Sequence, residues 1–296
     1  MLLAATDPTA HAPPADSLEA SLGRELEREL AEGEIELPVL PLAAQEVVRA
    51  AGDPRVDAEQ LAALIEEDPS LSAHLLRLAN SSWFRARSEI GSLGQAVVRM
   101  GSARVREAAL VIGCQTAVFS APGFEGEVRR IFRRSFACAL FSQEIARHRR
   151  DNVDDAFTAG LLLDVGYPAL LSAGRRIALR LKCRSRPALI RSAEALHPRA
   201  AATIFRAWQF PERLARVAEF HHATSPPDDI STLVYQTHLA SCLTEIILGR
   251  QATTDRGAWS AAFEHESLLP LELYPDDVEQ ITKQAPRILD SLGGVI

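Results

Sequence analysis

The second half of the chain carries a small set of residues whose side chains suit metal or phosphate chemistry. They are Arg134, Asp164, His197, His221, His222 and His238. Imidazole and carboxylate groups hold divalent metal ions, and a bound ion can activate water for attack on a phosphate. A guanidinium group suits the geometry of a phosphate. Either chemistry requires a fold that brings these residues into one pocket.

Composition narrows the classes of protein that the chain can belong to. Its 296 residues, 47% hydrophobic and 24% charged, are enough for one large or two medium domains. The net charge of −7 argues against nucleic-acid binding, which needs a basic face. The cysteines form no Cys-x-x-Cys pair, which predicts free thiols in a reducing cytosol. Because we find no signal peptide and no uncharged run of about 20 residues, we expect a cytoplasmic protein without a membrane partner.

Helical periodicity and helix caps predict an all-α protein. Residues 1–16 are rich in Ala and Pro and are expected to be disordered. Within residues 17–34 leucine recurs every four residues, which predicts a helix with a narrow leucine stripe. This helix is expected either to dock on the rest of the chain or to form a homodimer with a second copy. Residues 35–250 predict one domain, divided into helical lobes at 35–120 and 124–250. Residues 251–296 predict a C-terminal helical extension.

Local signals place several helix ends. Asp57 and Gln60 predict a capping box, Asp68-Pro69 predicts the end of one helix and the start of the next, and Ser92 predicts another cap. Pro198 predicts a break between helices at 187–195 and 198–208. A single tail helix is predicted over 275–292.

Several short segments occur in an order and spacing that resemble one known family. They are Leu37-Pro-Val-Leu-Pro41, Leu64-Ile-Glu-Glu-Asp-Pro-Ser-Leu-Ser72, Leu75-Leu-Arg-Leu-Ala-Asn-Ser81, Ile90-Gly-Ser-Leu93, Ala159-Gly-Leu-Leu-Leu-Asp-Val-Gly166, His197, Trp208-Gln-Phe-Pro211 and His221-His222. Together they resemble the HDOD family, a set of output domains related to HD phosphohydrolases. The resemblance implies a helical bundle with an N-terminal helical lobe and a C-terminal HD-like helical lobe. It also implies a bacterial signalling context and a scaffold role without catalysis.

The chain departs from the HD pattern at the metal ligands that the resemblance would imply. The early His of that pattern falls at Arg134, and the His of the His-Asp pair falls at Leu163. The late Asp falls near Thr237 or His238, so that only Asp164 remains of the metal set. We therefore expect no metal and no cofactor. The positional match also predicts a contact between Arg134 and Asp164.

The histidines leave an alternative open. His197, His221, His222 and His238 could meet around Asp164 and form an altered metal site, or they could satisfy buried polar groups. Adjacent residues on a helix point about 100° apart, which argues against His221 and His222 binding one metal together. The second interpretation is the expected one.

Residues Trp83, Phe84 and Arg85 are a candidate interaction patch, because they place two large aromatics and a cation in a predicted loop. The alternative, which the scarcity of aromatics favours, is that the aromatics wedge between the lobes as core.

These observations predict a non-catalytic signal-transduction scaffold of bacterial origin that binds a protein partner. A pathway that uses cyclic dinucleotides is one context that the family implies. The alternative is a divergent metal-dependent phosphohydrolase, or a sensor of nucleotide or phosphate, that uses the residual HD-type pocket.

Overall fold

A computed structural model describes residues 15–81, 83–84, 89–249 and 256–295, and within those ranges every regular element is helical. The predicted all-α class is therefore confirmed. The α-helices are α1 (Ala15–Ala31), α2 (Leu42–Ala51), α3 (Ala58–Glu66), α4 (Pro69–Ala79), α5 (Leu93–Gly113), α6 (Glu125–Arg149), α7 (Val153–Leu162), α8 (Gly166–Leu181), α9 (Arg186–Ala207), α10 (Glu212–Phe220), α11 (Asp228–Gly249), α12 (Ser260–Phe263), α13 (Pro275–Thr282) and α14 (Ala285–Val295). Short turns of helix lie at Cys114–Val118, Arg256–Trp259 and Glu266–Leu268. Most of the tail that was expected to be disordered lies outside the described residues.

The N-terminal lobe contains α2 to α5, and its helix ends follow the predicted caps. The Asp57 side chain accepts hydrogen bonds from the backbone of Glu59 and Gln60, and the Gln60 side chain accepts from the Asp57 backbone. Asp68 caps α4, and Ser92 caps α5. Each cap satisfies backbone N–H groups that the first turn of a helix leaves unpaired.

The C-terminal lobe is formed by α6 to α11, and its central contact is the packing of α6 on α7. Gly160 makes this close approach possible, since a Cβ atom there would lie 2.7 Å from Ala139 Cα. Gly166 has the same role between α8 and α9, because a Cβ there would lie 2.6 Å from the carbonyl oxygen of His197. The two glycines therefore set the distances between the helices on either side of Asp164.

The segment Val153–Leu181 is long and apolar enough to span a membrane by length and composition alone, but 89% of its apolar window is buried inside the protein. It consists of α7 and α8 with the turn between them. Packing against the other helices of the lobe is thus sufficient to explain its apolar character.

Proline has opposite effects at two helix positions. The predicted break at Pro198 is wrong, because α9 continues through it. Proline cannot donate to the carbonyl four residues earlier, but His197 Nδ1 lies 2.6 Å from that oxygen of Glu194 and donates to it instead. The predicted single tail helix is also wrong, since Pro286 lies in the first turn of a separate helix, α14, where its missing N–H group leaves no hydrogen bond unmade.

Helix α1 packs on α8 and α9 of the same chain. Leu22 and Leu26 are fully buried there, and Leu30 is nearly so. The buried Glu29 carboxylate accepts hydrogen bonds from Arg176 and Arg180 on α8. Docking on the body is therefore the arrangement observed, and a homodimer through this helix would have to use surface other than the leucine stripe.

Trp83 is a core residue at the junction of the two lobes, which corrects its assignment to an interaction patch. Only 1% of its surface is exposed. Its ring packs edge-on against Phe136 of α6, with centroids 5.0 Å apart, and stacks on Phe157 of α7 at 6.0 Å. Phe84 is partly buried against the Trp83 ring, and Arg85 lies outside the described residues. Burial of this large ring explains why a loop aromatic is not available to a partner.

We predict that Gly160→Ala destabilises the protein by about 1–3 kcal/mol, because the added methyl group must push α7 away from the α6 backbone. Gly126→Ala is the matched control on α6, since nothing lies within 4 Å of a Cβ there. The control should be neutral or stabilising by up to about 1 kcal/mol through helix propensity. Urea unfolding of both variants measures the difference, and equal stabilities would contradict the packing argument.

Trp83→Ala should destabilise the protein by about 3–5 kcal/mol, because it leaves a large cavity between the lobes. Trp83→Phe, which keeps most of the apolar volume, should cost clearly less. Thermal and urea unfolding check this prediction. An unchanged melting temperature for Trp83→Ala would restore the interpretation of Trp83 as a surface patch.

Candidate functional site

The residues singled out in the sequence as a residual pocket converge at one end of the C-terminal lobe. Arg134 comes from α6, and Asp164 from the turn that joins α7 to α8. His197 comes from α9, whereas His221 and His222 follow directly after α10. His238 lies on α11 and makes its hydrogen bond to the backbone of His221. The fold therefore assembles these residues from distant parts of the chain.

The predicted contact between Arg134 and Asp164 is present. Arg134 donates to Asp164 Oδ2 from Nη2 at 2.7 Å and from Nε at 3.3 Å. The third guanidinium nitrogen, Nη1, donates to Glu245 at 3.3 Å. Burial raises the pKa of Asp164, but the positive charge of Arg134, the neighbouring histidines and the hydrogen bond from Arg134 together outweigh it, so the pKa lies below its ordinary value. Asp164 is therefore an ionised carboxylate that is only 5% exposed.

The ring of His197 is held in a defined orientation. Its Nδ1 donates to the Glu194 carbonyl, and Tyr167 stacks on it with ring centroids 4.3 Å apart. Because a carbonyl only accepts hydrogen bonds, Nδ1 carries the hydrogen and Nε2 of the neutral ring is a free lone pair. Burial lowers the pKa of His197 to about 4. Its Nε2 lies 3.4 Å from Asp164 Oδ1.

His221 and His222 both direct their rings at His197, and the angular argument against their joint action is wrong. Helix α10 ends at Phe220, so His222 lies in a turn and the spacing of a regular helix does not apply to it. The Nε2 atom of His197 lies 3.1 Å from Nε2 of His221 and 3.2 Å from Nε2 of His222. The ligand atoms of these imidazoles all lie within 4.8 Å of one another.

The backbone around these rings determines which nitrogen carries hydrogen. His221 Nδ1 lies 2.6 Å from the carbonyl oxygen of Ala218 and donates to it, which leaves Nε2 as a lone pair. Burial lowers the pKa of His221 to about 3. His238 Nε2 donates to the carbonyl oxygen of His221. His238 thus supports the turn and is not one of the converging ligand atoms.

A cavity of about 360 Å³ opens beside the cluster. Leu163, which falls where an HD hydrolase has its paired histidine, lines this cavity together with Arg134 and Thr237. Its other lining residues are His221, His222, His238, Ser241, Cys242, Glu245, His265 and Glu266. Sequence reasoning did not find His265, which the C-terminal extension supplies, nor Glu245, which pairs with Arg134. No spacing or motif in the sequence distinguishes either of them.

The site can therefore offer one face with converging lone pairs and another with a cation. His197, His221, His222 and Asp164 Oδ1 are of the types that bind a metal ion. Arg134 and the neighbouring histidines could contact a phosphate. Leu163 has no ligand atom, and the Thr237 hydroxyl donates to the backbone carbonyl of Val234, so neither supplies the imidazole or carboxylate that the HD pattern has at these positions.

Solved structures show the same fold. A presumed metal-dependent phosphohydrolase from Shewanella amazonensis superposes with a TM-score of 0.70 at 18% identity, over 94% of this chain and 98% of that one. An HDOD domain protein of unknown function from Geobacter sulfurreducens gives 0.67 at 20% identity, over 95% and 98% of the two chains. A presumed signal transduction protein from Marinobacter aquaeolei gives 0.62 at 18% identity, over 97% of this chain and 67% of that one. These identities are low, so the likeness is one of fold.

Sequence comparison identifies a curated relative and a family. An uncharacterised protein of Treponema pallidum is 24% identical over 196 residues, which is 63% of this chain. The match spans only 38% of the length of that curated relative. The sequence model of the HDOD domain matches residues 37–224. Since this match covers more than half of the 296 residues, the chain belongs to the HDOD family.

Proposed function

We propose that this HDOD protein is a non-catalytic signal-transduction module that binds a protein partner and does not hydrolyse phosphoesters. The ion pair between Arg134 and Asp164 is the observation that carries this proposal. The guanidinium lies where the HD pattern has its first metal ligand, and it occupies Asp164 Oδ2. A fixed positive charge at that place opposes the binding of a metal ion there.

Leu163 supports the same conclusion from the other side of the pocket. It is 5% exposed and lines the cavity where the paired histidine of an HD hydrolase would stand. A hydrocarbon side chain has no lone pair for a metal. With the late Asp also replaced, three ligand positions of the HD pattern are lost, and Arg134 occupies one oxygen of the carboxylate that remains. Family membership and the name of the Marinobacter relative support a role in signal transduction.

A second candidate is a divergent phosphohydrolase or a sensor of phosphate or nucleotide. The cavity beside the cluster favours it, because Arg134 and several histidines line the same space. The side chain of Glu245, which pairs with Arg134, is 62% exposed, so an anionic ligand could displace it. The name of the Shewanella relative points in the same direction.

Phosphodiesterase assays separate the candidates. With Mn²⁺, Zn²⁺ or Mg²⁺ present, the protein should turn over bis-p-nitrophenyl phosphate and cyclic dinucleotides no faster than its Asp164→Asn variant. Metal-dependent turnover that Asp164→Asn abolishes would favour the hydrolase.

The partner itself is sought by capture from a lysate of the source bacterium, followed by titration of the purified candidate. Failure of every captured protein to bind in pure form would count against the scaffold.

Removal of Arg134 should destabilise the fold. Arg134→Met leaves the buried Asp164 carboxylate without its donor, and we expect a loss of about 1–3 kcal/mol. The Arg134 side chain is 36% exposed, so solvent screening keeps this below the value for a fully buried pair. Urea unfolding in the presence of a chelator measures the effect.

Arg130→Met is the matched control on α6, because its side chain is 78% exposed and lies 3.8 Å from Glu127. It should change stability by less than about 0.5 kcal/mol. In a double-mutant cycle, Asp164→Asn should reduce the cost of Arg134→Met. Equal stability of the two Met variants would show that the ion pair contributes nothing.

A further inference from the structure

A second cavity, of about 520 Å³, lies at the junction of the two lobes. It opens where α5 ends in the turn Cys114–Val118 and where residues 119–124 lead into α6. Its volume falls within the roughly 300–1,000 Å³ that is usual for sites of small ligands and side chains. None of the residues that line it lines the cavity beside Asp164. It is therefore a separate feature of the fold.

One stripe of α6 forms a wall of this junction cavity. The α6 residues that line it are spaced by three or four positions, and they are Glu125, Val128, Arg129 and Phe132. This spacing places them on one face of the helix. Val128 and Phe132 are buried, and the Phe132 ring packs on that of Phe119 with centroids 5.1 Å apart. The buried part of the lining is thus apolar, and the polar groups belong to its exposed rim.

The turn at the end of α5 shapes the other side of the cavity. Its backbone has the wider π-helical pattern, in which the Phe119 N–H group donates to the carbonyl of Cys114, five residues earlier, at 2.9 Å. Such turns are rare, and they occur frequently at functional sites. The widened turn leaves Gln115 exposed at the rim while Phe119 is buried in the lining.

Two arginines of the C-terminal lobe hold the connection that borders the cavity. Arg175 of α8 donates to the Pro122 carbonyl, and Arg186 of α9 donates to the Gly123 carbonyl, both at 3.2 Å. The Gly123 N–H group in turn donates to the Glu125 side chain at 2.8 Å. The connection is therefore fixed to the lobe in advance, which reduces the cost of ordering it when a ligand binds.

The unpaired charges beside the cavity are positive, although the chain has a net charge of −7. Arg129 is exposed and makes no hydrogen bond or ion pair with the residues that the structure describes. Arg133 lies one turn further along the same face of α6, and it is likewise exposed and unpaired within the described part of the chain. Glu125 does not cancel these charges, because the hydrogen bond from the Gly123 backbone engages its carboxylate and lowers its pKa.

We propose that the junction cavity binds an acidic segment of the partner protein, which places one apolar side chain against Phe119 and Phe132 and a carboxylate on Arg129. A guanidinium group binds a carboxylate through two parallel hydrogen bonds, and Arg129 has no competing partner among the described residues. The buried apolar lining favours a hydrocarbon or aromatic side chain beside that charge. This inference rests on the proposed role in partner binding, and it specifies the surface used and the chemistry that the partner must offer.

Other occupants fit this surface less well. Anionic membranes are bound by clusters of about four to eight basic residues, whereas the unpaired cations on this face of α6 are Arg129 and Arg133. A nucleotide base would stack on an exposed aromatic ring, but the rings of Phe119 and Phe132 are 8% and 3% exposed and pack on each other. An acidic protein segment uses both the cation and the apolar lining.

Selection from a random peptide library displayed on phage tests the occupant. The full chain should enrich peptides in which Asp or Glu lies within a few positions of an apolar residue. Counter-selection with Arg129→Glu, which reverses the charge at the rim, should remove these peptides. Enrichment of basic or neutral peptides alone, or of no peptide, would overturn the proposal.

Titration of an enriched peptide by fluorescence anisotropy tests the site. Arg129→Glu should weaken binding at least about tenfold, and added salt should weaken binding to the wild type more than to this variant. Ser120→Trp places a large ring at the exposed rim and should also weaken binding, although Arg129 is retained. Arg77→Glu is the matched control, since Arg77 is exposed on α4, outside the cavity, and is unpaired among the described residues. It should bind like the wild type, and circular dichroism checks the fold of each variant.

Equal binding by Arg129→Glu and Arg77→Glu would overturn the site. A purified partner that binds the wild type and Arg129→Glu equally would also overturn it, but would leave the partner-binding function standing. Co-sedimentation with phosphatidylglycerol vesicles that Arg129→Glu abolishes, without peptide binding, would assign the surface to a membrane and refute the proposal. Metal-dependent phosphoester turnover would contradict the non-catalytic function without changing peptide binding at this cavity.

Discussion

A single buried carboxylate, that of Asp164, is the constraint on which the C-terminal lobe depends. An ionised group that is 5% exposed must be neutralised and hydrogen-bonded, and no single helix can supply both. Arg134 of α6 satisfies one oxygen, and His197 of α9 lies 3.4 Å from the other. The glycines on either side of it, Gly160 and Gly166, let these helices come close enough. Packing and electrostatics thus require the same helix positions.

The path of α9 shows how one residue pair serves both fold and site. Pro198 removes a backbone donor in mid-helix, which normally breaks a helix. His197 supplies the missing hydrogen to the Glu194 carbonyl, and the same hydrogen bond fixes which ring nitrogen faces Asp164. The proline therefore frees the acceptor that orients the histidine. Pro286 has no such neighbour acting for it, and there a new helix begins.

Local sequence signals predicted the parts of this structure that depend on local physics. The caps at Asp57, Asp68 and Ser92 involve residues only two or three positions apart, and each is present. The contact between Arg134 and Asp164 spans 30 positions and followed from the family pattern alone. The joint direction of His221 and His222 was missed because it depends on the helix ending at Phe220. His265 reaches the pocket through tertiary packing of the extension, which no spacing in the sequence reveals.

The departures from the HD pattern in this pocket are consistent with one another. Arg134 holds Asp164 Oδ2, and Leu163 lines the adjacent cavity with a hydrocarbon side chain. The guanidinium withdraws that oxygen from a metal ion, and the hydrocarbon offers no lone pair in its place. Hydrolysis by metal-bound water needs an ion that is firmly held and keeps an exchangeable position. The residue that neutralises the buried carboxylate is therefore also the one that would oppose this chemistry, which is why the ion pair carries the proposal of a non-catalytic role.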